Sequence, residues 1–189
     1  MSANLKLFKT KMKKYKTTSR TSTISHAFAS ALAISDPYDE SALAESLKIL
    51  GQSTKEPLRC VFCTSPARTI DHLNGLVEKS RFTGHGHVIG NLVPCCEPCN
   101  TSKGSKPWRT FAKAVGTPDE QIERIAAYEA LAPTPMSEDD LRALYPDLME
   151  AYARMRSLCH EMLRTTDNLA AEIQRLERKR LNRNSLKDD

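Results

Sequence analysis

The sequence lacks any apolar run long enough to cross a lipid bilayer. A transmembrane helix needs roughly 20 consecutive, predominantly apolar residues, and no stretch of the 189-residue chain approaches that length. The segment ISHAFASALAI follows a basic stretch, as the apolar part of a signal peptide would, but it is short and is interrupted by serines and His26. We therefore expect no membrane partner and a cytoplasmic location, with a cleavable export signal as the less favoured alternative.

Acidic residues are absent from the first 35 positions, and the first one is Asp36. Residues 1–20 contain six lysines and one arginine, and the whole chain has a formal net charge of +5. Such a segment is either a solvated chain end or a basic arm that contacts phosphates. We assign residues 1–34 to a basic N-terminal arm, which permits a polyanionic partner without proving one.

A disulfide framework is also not expected, because thiols inside cells stay reduced. The chain nevertheless has six cysteines, and four of them form two C-x-x-C pairs. These four are Cys60, Cys63, Cys96 and Cys99. A C-x-x-C turn places two sulfur atoms on one side of an ion, so two such turns supply the four ligands of a tetrahedral zinc ion. The sequence therefore predicts a structural Zn²⁺ site.

Two features leave alternatives open at this site. Cys95 could replace Cys96 as a ligand, although Cys96 keeps the two turns alike. Four buried, reduced cysteines without a metal are the other alternative, which is less favoured because two C-x-x-C pairs rarely arise by chance. Cys159 lies in a helical pattern and is expected in a core. A zinc ion with four thiolates has no open position for substrate. Any catalysis is therefore expected in the 32 residues between the two pairs.

The chain reads as an α+β protein with helices on both sides of a small central region. Residues 35–57 contain a helix and a linker, with Ser35 or Asp36 as the predicted cap, Pro37 in the first turn and Gly51 at the end. The central region, residues 58–116, has two predicted strands in PARTIDHL and GHVIGNLVPC and a helix from PCNTSKG. Residues 117–189 are predicted to be helical.

The last helix is predicted at roughly residues 146–182 from a heptad-like apolar seam. Its members are Leu148, Tyr152, Met155, Cys159, Met162, Thr166, Leu169, Ile173 and Leu176. Such a seam commonly packs on helices of the same chain. A homodimer through this C-terminal helix is the alternative.

The central region resembles the HNH nuclease family. The resemblance rests on the order C-x-x-C, Asp71-His72, Asn91, then CEPC followed by Asn100 and a Lys-Gly pair. It covers less than a third of the chain and implies a ββα-metal unit between zinc knuckles, here as an H-N-N variant. The loop GHGHVIG departs from the family, in which many members have a Gly-Gly pair.

The resemblance implies a role for each of these residues. His72 would be the general base, Asp71 and Asn100 would hold a catalytic Mg²⁺ or Mn²⁺ ion, and Asn91 would tie down the loop and orient His72. Their chemistry agrees, since imidazole accepts protons near neutral pH and hard oxygen ligands suit these ions. Neighbouring strand residues face opposite ways, so Asp71 and His72 can share a site only where the strand ends or bulges.

Basic residues flank this centre and predict a DNA-binding surface. They are Lys79, Arg81, Lys103, Lys106 and Arg109. His85 and His87 lie in a glycine-rich loop, where a solvated pair is the ordinary interpretation, although His87 is a candidate for contact with the scissile phosphate. Trp108 is expected to pack in the core.

The sequence thus favours a metal-dependent endonuclease that acts on DNA, and the resemblance implies products with 5′-phosphate and 3′-hydroxyl ends. The alternative is a zinc-stabilised nucleic-acid-binding module without catalysis.

Overall fold

A computed structural model of the chain describes Phe8, Met12 and residues 15–185. Helices and short strands are mixed, which confirms the α+β class. The chain divides into two compact units. One is His26–Pro146, and the other contains the described residues up to Ser25 together with those from Asp147 onward. Most of the lysines of the predicted basic arm lie outside the described residues.

The secondary structure is as follows. The helices are α1 (Thr21–Leu32), α2 (Glu40–Ile49), α3 (Glu97–Lys103), α4 (Trp108–Ala114), α5 (Asp119–Glu129), α6 (Glu138–Leu144) and α7 (Pro146–Ser185), and a 3-10 turn at Thr17–Arg20 precedes α1. The strands are β1 (Thr69–His72), β2 (Val77–Glu78), β3 (Arg81–Phe82) and β4 (Leu92–Cys95). Within this described part, no helix combines the length and the apolar character needed to span a membrane.

Strands β1 and β4 form the antiparallel pair that carries most of the predicted site residues. Asp71 lies opposite Val93 and His72 opposite Leu92. β2 and β3 form a separate two-residue hairpin ladder. The predicted strand in PARTIDHL is confirmed, and so is the helix beside the second C-x-x-C pair, which is α3.

The core of this unit lies between the strand pair and the helices that follow it. Val93, Ile125 and Tyr128 are fully buried, and the rings of Phe62 and Phe111 meet edge to face with centroids 5.2 Å apart. Ile125 and Tyr128 are three residues apart on α5, so one face of that helix packs inward. The Tyr128 hydroxyl also donates to the Leu92 carbonyl at 2.7 Å, which fixes α5 against β4.

The start of α2 differs from the prediction. The helix begins at Glu40 because the Asp39 side chain accepts a hydrogen bond from the Ala42 amide. Pro37 therefore lies before the helix, and Asp36 instead accepts a hydrogen bond from the backbone amide of Ile89 at 2.7 Å. The predicted end is confirmed, since Gly51 has φ of 70° directly after the last turn.

The second predicted strand is shorter than the pattern GHVIGNLVPC suggested. Only its last four residues form β4, because the chain turns immediately before them. Gly90 has φ of 92°, and the amides of Asn91 and Leu92 both donate to the Val88 carbonyl. A Cβ atom on Gly90 would lie 2.3 Å from the Ala132 amide nitrogen, so this turn also needs glycine for space.

The long C-terminal helix is confirmed as α7, but its apolar seam is not buried within the described part of the chain. The five members at strict seven-residue spacing are between 50% and 72% exposed. They are Leu148, Met155, Met162, Leu169 and Leu176. We expected this seam to pack on helices of the same chain, and for these five side chains that prediction is wrong.

A different part of α7 contacts the 3-10 turn. The two carboxylate oxygens of Asp167 accept hydrogen bonds from the amides and hydroxyls of Thr17 and Thr18 at 2.6–3.2 Å. These hydrogen bonds, with that of the Thr18 hydroxyl strongest, hold the pKa of Asp167 well below its usual value. The turn before α1 is therefore attached to α7 by a specific contact.

Candidate functional site

Four sulfur atoms form a compact cluster. The Sγ atoms of Cys60, Cys63, Cys96 and Cys99 all lie within 4.8 Å of one another. Cys96 directly precedes α3 and Cys99 lies in its first turn, while the Cys60 amide donates to the Ser65 carbonyl at 2.7 Å and closes the other turn. Bonds of about 2.3 Å to a tetrahedral zinc ion would separate sulfur ligands by about 3.8 Å, and Cys63 and Cys96 are 3.6 Å apart. The four cysteines can therefore hold a metal ion such as zinc.

Cys95 is not a member of this cluster. It is the last residue of β4, is fully buried, and has its Sγ 3.8 Å from that of Cys60. Contact with the Cys95 thiol lowers the pKa of Cys60 to about 4, whereas the same contact and burial raise the pKa of Cys95. The grouping agrees with the sequence-based preference for Cys96 over Cys95.

The Asp71 carboxylate lies at the end of β1 beside a buried ammonium group. Its Oδ1 accepts a hydrogen bond from the His72 amide at 2.8 Å, and its Oδ2 is 3.2 Å from Nζ of Lys103. Lys103 Nζ donates to the His72 carbonyl at 2.6 Å, and its side chain is 2% exposed. Among the described residues, none donates a hydrogen bond to the buried Oδ2 of Asp71. Oδ2 therefore has an ion-pair contact with Lys103 but no hydrogen bond, and it is a candidate metal ligand beside that ammonium group.

Asn100 lies on the side of α3 that faces β1. Its Nδ2 donates to Oγ1 of Thr69 at 2.7 Å, which leaves its Oδ1 as a potential ligand atom. Thr69 and Asp71 are two residues apart on a strand and so point to the same face. Asn100 and Lys103, one turn apart on α3, thus face the same side of β1 as Asp71.

The His72 ring does not share the Asp71–Lys103 contact but meets His87. Nε2 of His72 lies 3.0 Å from Nδ1 of His87, and the two ring planes are inclined at 63°. Burial lowers the pKa of His72, and so do the nearby charges of His87 and Lys103, while Asp71 opposes them. These effects favour a neutral imidazole, which is the form that can accept a proton.

Asn91 is a buried connector between the end of β1 and the histidine loop. Its Oδ1 accepts from the Asn74 amide at 2.8 Å, and its Nδ2 donates to the carbonyls of Asn74 at 3.1 Å and Gly86 at 2.9 Å. The side chain is 1% exposed, so these bonds have little competition from water. Asn91 therefore connects the segment after β1 to the loop before β4.

Glu129 was missed by sequence reasoning. Its Oε1 accepts hydrogen bonds from Nδ2 of Asn74 at 2.8 Å and from the indole of Trp108 at 2.9 Å, and Arg109 is paired with its Oε2 at 3.2 Å. It therefore fixes the chain just after β1 to α4 and α5. A single acidic residue at the end of a helix gives no sequence signal for this. Trp108, at 2% exposed, is a packing residue as predicted.

The predicted basic surface is only partly available. Four of its members are exposed: Lys79, Arg81, Lys106 and Arg109. Three are paired within the chain: Lys79 with Glu78, Arg81 with Asp139, and Arg109 with Glu129. Lys103 differs from the prediction because it is buried against Asp71, so its ammonium group acts inside the site and not on its surface. His85 is half-buried, and burial lowers its pKa.

Comparison with protein-family models, with curated proteins and with solved structures finds no significant match to this chain.

Proposed function

We propose that the protein is a zinc-stabilised, metal-dependent endonuclease of the HNH type that hydrolyses DNA. The observation that carries the proposal is the meeting of Asp71, at the end of β1, with α3, the helix that carries Asn100. The neighbouring His72 lies in the same short segment, and burial lowers its pKa, which favours the neutral imidazole. The four-cysteine cluster lies directly beside these elements in sequence, because Asn100 follows Cys99.

The roles follow from the chemistry of the groups. His72 accepts a proton from the attacking water, which contributes roughly 10²–10⁴-fold to such reactions. Oδ2 of Asp71 and Oδ1 of Asn100 would hold Mg²⁺ or Mn²⁺, which would neutralise charge on the phosphate when bound. Asn91 holds the loop that brings His87 to His72. The nearby ammonium of Lys103, 3.2 Å from Oδ2, holds the Asp71 carboxylate in place.

Zinc has a separate role in this proposal. Four thiolates saturate the ion and leave no position for water or substrate. It would therefore connect the turn at Cys60 and Cys63 to the start of α3. That connection holds Asn100, the residue after Cys99, close to β1. Loss of zinc is expected to disorganise the site and not merely to slow it.

DNA would be bound by exposed basic groups near the site and by the lysine-rich start of the chain. Lys106 has the most accessible charge, since Lys79, Arg81 and Arg109 each have an acidic neighbour. Contacts from lysine to phosphate give affinity without sequence preference. We therefore do not expect these residues to determine which DNA sequence is cleaved.

The experiment that tests the proposal is cleavage of supercoiled plasmid DNA by purified protein with Mg²⁺ or Mn²⁺. Chelation should stop cleavage, and Mg²⁺ added back without zinc should restore it as long as one zinc per chain remains bound. The new ends should carry 5′-phosphate and 3′-hydroxyl groups. DNA binding without cleavage under all of these conditions would favour the alternative, a non-catalytic zinc-stabilised nucleic-acid-binding module.

A further inference from the structure

The contact between His72 and His87 assigns different roles to the two nitrogen atoms of the His72 ring. Nε2 is 3.0 Å from Nδ1 of His87, a hydrogen-bonding distance. Among the described residues, none forms a hydrogen bond to Nδ1 of His72, and this atom is not one of the buried, unpartnered atoms. Nδ1 therefore has no hydrogen-bond partner among the described residues and is not fully buried, whereas Nε2 already has His87 as its neighbour.

His87 is held firmly although it lies in a glycine-rich loop. Its amide donates to the Ile34 carbonyl at 2.8 Å, and its carbonyl accepts from the Asp36 amide at 3.2 Å. The carbonyl of the preceding residue, Gly86, accepts from the buried Asn91 side chain at 2.9 Å.

The close approach of the two segments also requires the glycine before His87. A Cβ atom on Gly86 would lie 2.4 Å from the Ile34 carbonyl oxygen, so no larger residue fits without a backbone shift. Three hydrogen bonds and this contact fix the backbone around His87. The fixed backbone therefore places the half-buried ring of His87 against His72, in contrast to the freely solvated side chain expected from the glycine-rich sequence.

We propose that His87 is a positioning residue: its Nδ1 accepts the Nε2–H of His72 and thereby keeps the lone pair of His72 on Nδ1, the atom that takes the proton from water. This inference rests on the proposed nuclease function. A hydrogen bond at one imidazole nitrogen decides which tautomer is present and how the ring is oriented. In this proposal His87 orients His72 and does not contact the scissile phosphate.

The proton balance of the step is simple. The water proton moves to Nδ1 of His72, and the resulting imidazolium keeps its Nε2–H bond to His87. The water oxygen forms a bond to phosphorus. The 3′-oxygen leaves with the electron pair of the broken P–O bond and takes up a proton from solvent.

The first test reads the tautomer without DNA or added metal. Two-bond ¹H–¹⁵N NMR spectra of the full chain at about pH 8, where an ordinary imidazole is neutral, distinguish Nε2–H from Nδ1–H. We expect His72 to be Nε2–H in the wild type and in His87→Asn, whose side-chain oxygen can replace Nδ1 as acceptor. An Nδ1–H tautomer in the wild type would overturn the inference whatever the cleavage activity.

The second test separates positioning from DNA contact. Single-turnover cleavage should fall by roughly 10–100-fold in His87→Ala, the range typical for partners that orient an imidazole, and should be largely restored in His87→Asn. DNA affinity should be equal in both variants. Wild-type cleavage by His87→Ala, or an equal loss of DNA affinity in both variants with unchanged cleavage of bound DNA, would refute the role.

The two tests also distinguish this inference from the proposed function. A wild-type protein that never cleaves DNA would contradict the nuclease proposal, while the tautomer measurement would still report on His72 and His87. Circular dichroism and zinc content of His87→Ala show whether its fold is intact. The wild-type tautomer decides the matter if that variant does not fold.

Discussion

Two adjacent cysteines give a closely matched test of the zinc site. Cys95→Ser and Cys96→Ser are the same chemical change at neighbouring positions, yet only Cys96 belongs to the four-sulfur cluster. We expect Cys95→Ser to keep one zinc per chain and Cys96→Ser to lose it. Cys159→Ser, on α7 and outside the cluster, is a control for general effects of losing a thiol.

The expected magnitudes separate the two variants clearly. Zinc binding at small cysteine sites is worth about 10–16 kcal/mol of apparent folding free energy, which is comparable to the whole stability of a domain, about 5–15 kcal/mol. Losing one ligand at Cys96 should therefore unfold the central region. At Cys95, which is fully buried, a serine hydroxyl without a partner should cost only about 1–3 kcal/mol.

The assay is zinc analysis of purified protein combined with thermal unfolding. Cys95→Ser should bind zinc and melt about 2–12 °C lower, since each kcal/mol shifts the melting temperature by roughly 2–4 °C in a chain of this size. Cys96→Ser should be zinc-free and insoluble or unfolded. Zinc retained in Cys96→Ser but lost in Cys95→Ser would refute the assignment of ligands, and soluble wild type without zinc would refute the site itself.

Three further predictions concern the buried ion pair, the long helix and the basic arm. Lys103→Met leaves the Asp71 carboxylate without its partner and should lower the free energy of unfolding in urea by about 3–5 kcal/mol. The control Lys79→Met, at an exposed position, should change it by less than about 0.5 kcal/mol. Equal effects of the two substitutions would contradict the buried ion pair. If two copies of α7 pair through the exposed seam, the alternative that the sequence left open, Met162→Lys should weaken association about 100-fold, from about 1.5 kcal/mol lost per copy. A wild type that stays monomeric in light scattering at high concentration would exclude that dimer. Removing residues 2–14, which spares the 3-10 turn, should remove two to four phosphate contacts. Each lost contact should reduce the slope of the logarithm of the DNA-binding constant against the logarithm of salt concentration by about 0.9. An unchanged slope would show that the arm is a solvated chain end.

Local patterns in the sequence were sufficient to predict the elements of the central region. The short strand that ends at His72, the helix that begins after Cys96 and the grouping of four cysteines each follow from a few neighbouring residues. The same is true of α7, which was predicted at roughly residues 146–182 from apolar periodicity and is observed at Pro146–Ser185. These features depend on short-range spacing, which a sequence displays directly.

Contacts between distant residues were not predictable in the same way. The pairing of His72 with His87 depends on three hydrogen bonds to the chain around it, and the burial of Lys103 depends on α3 packing against β1. A lysine near a proposed DNA-binding centre reads as a surface residue until its partner is known. Glu129 likewise gained its role only when three distant donors met it in space.

The most direct test of the central claim is single-turnover cleavage of plasmid DNA by His72→Ala, compared with His26→Ala, an exposed histidine outside the site. His72→Ala should retain one zinc per chain and a wild-type circular dichroism spectrum but should cleave about 10²–10⁴-fold more slowly, while His26→Ala should cleave normally. Near wild-type cleavage by a folded, zinc-bound His72→Ala protein would contradict the assignment of His72 as the base of a DNA-hydrolysing site.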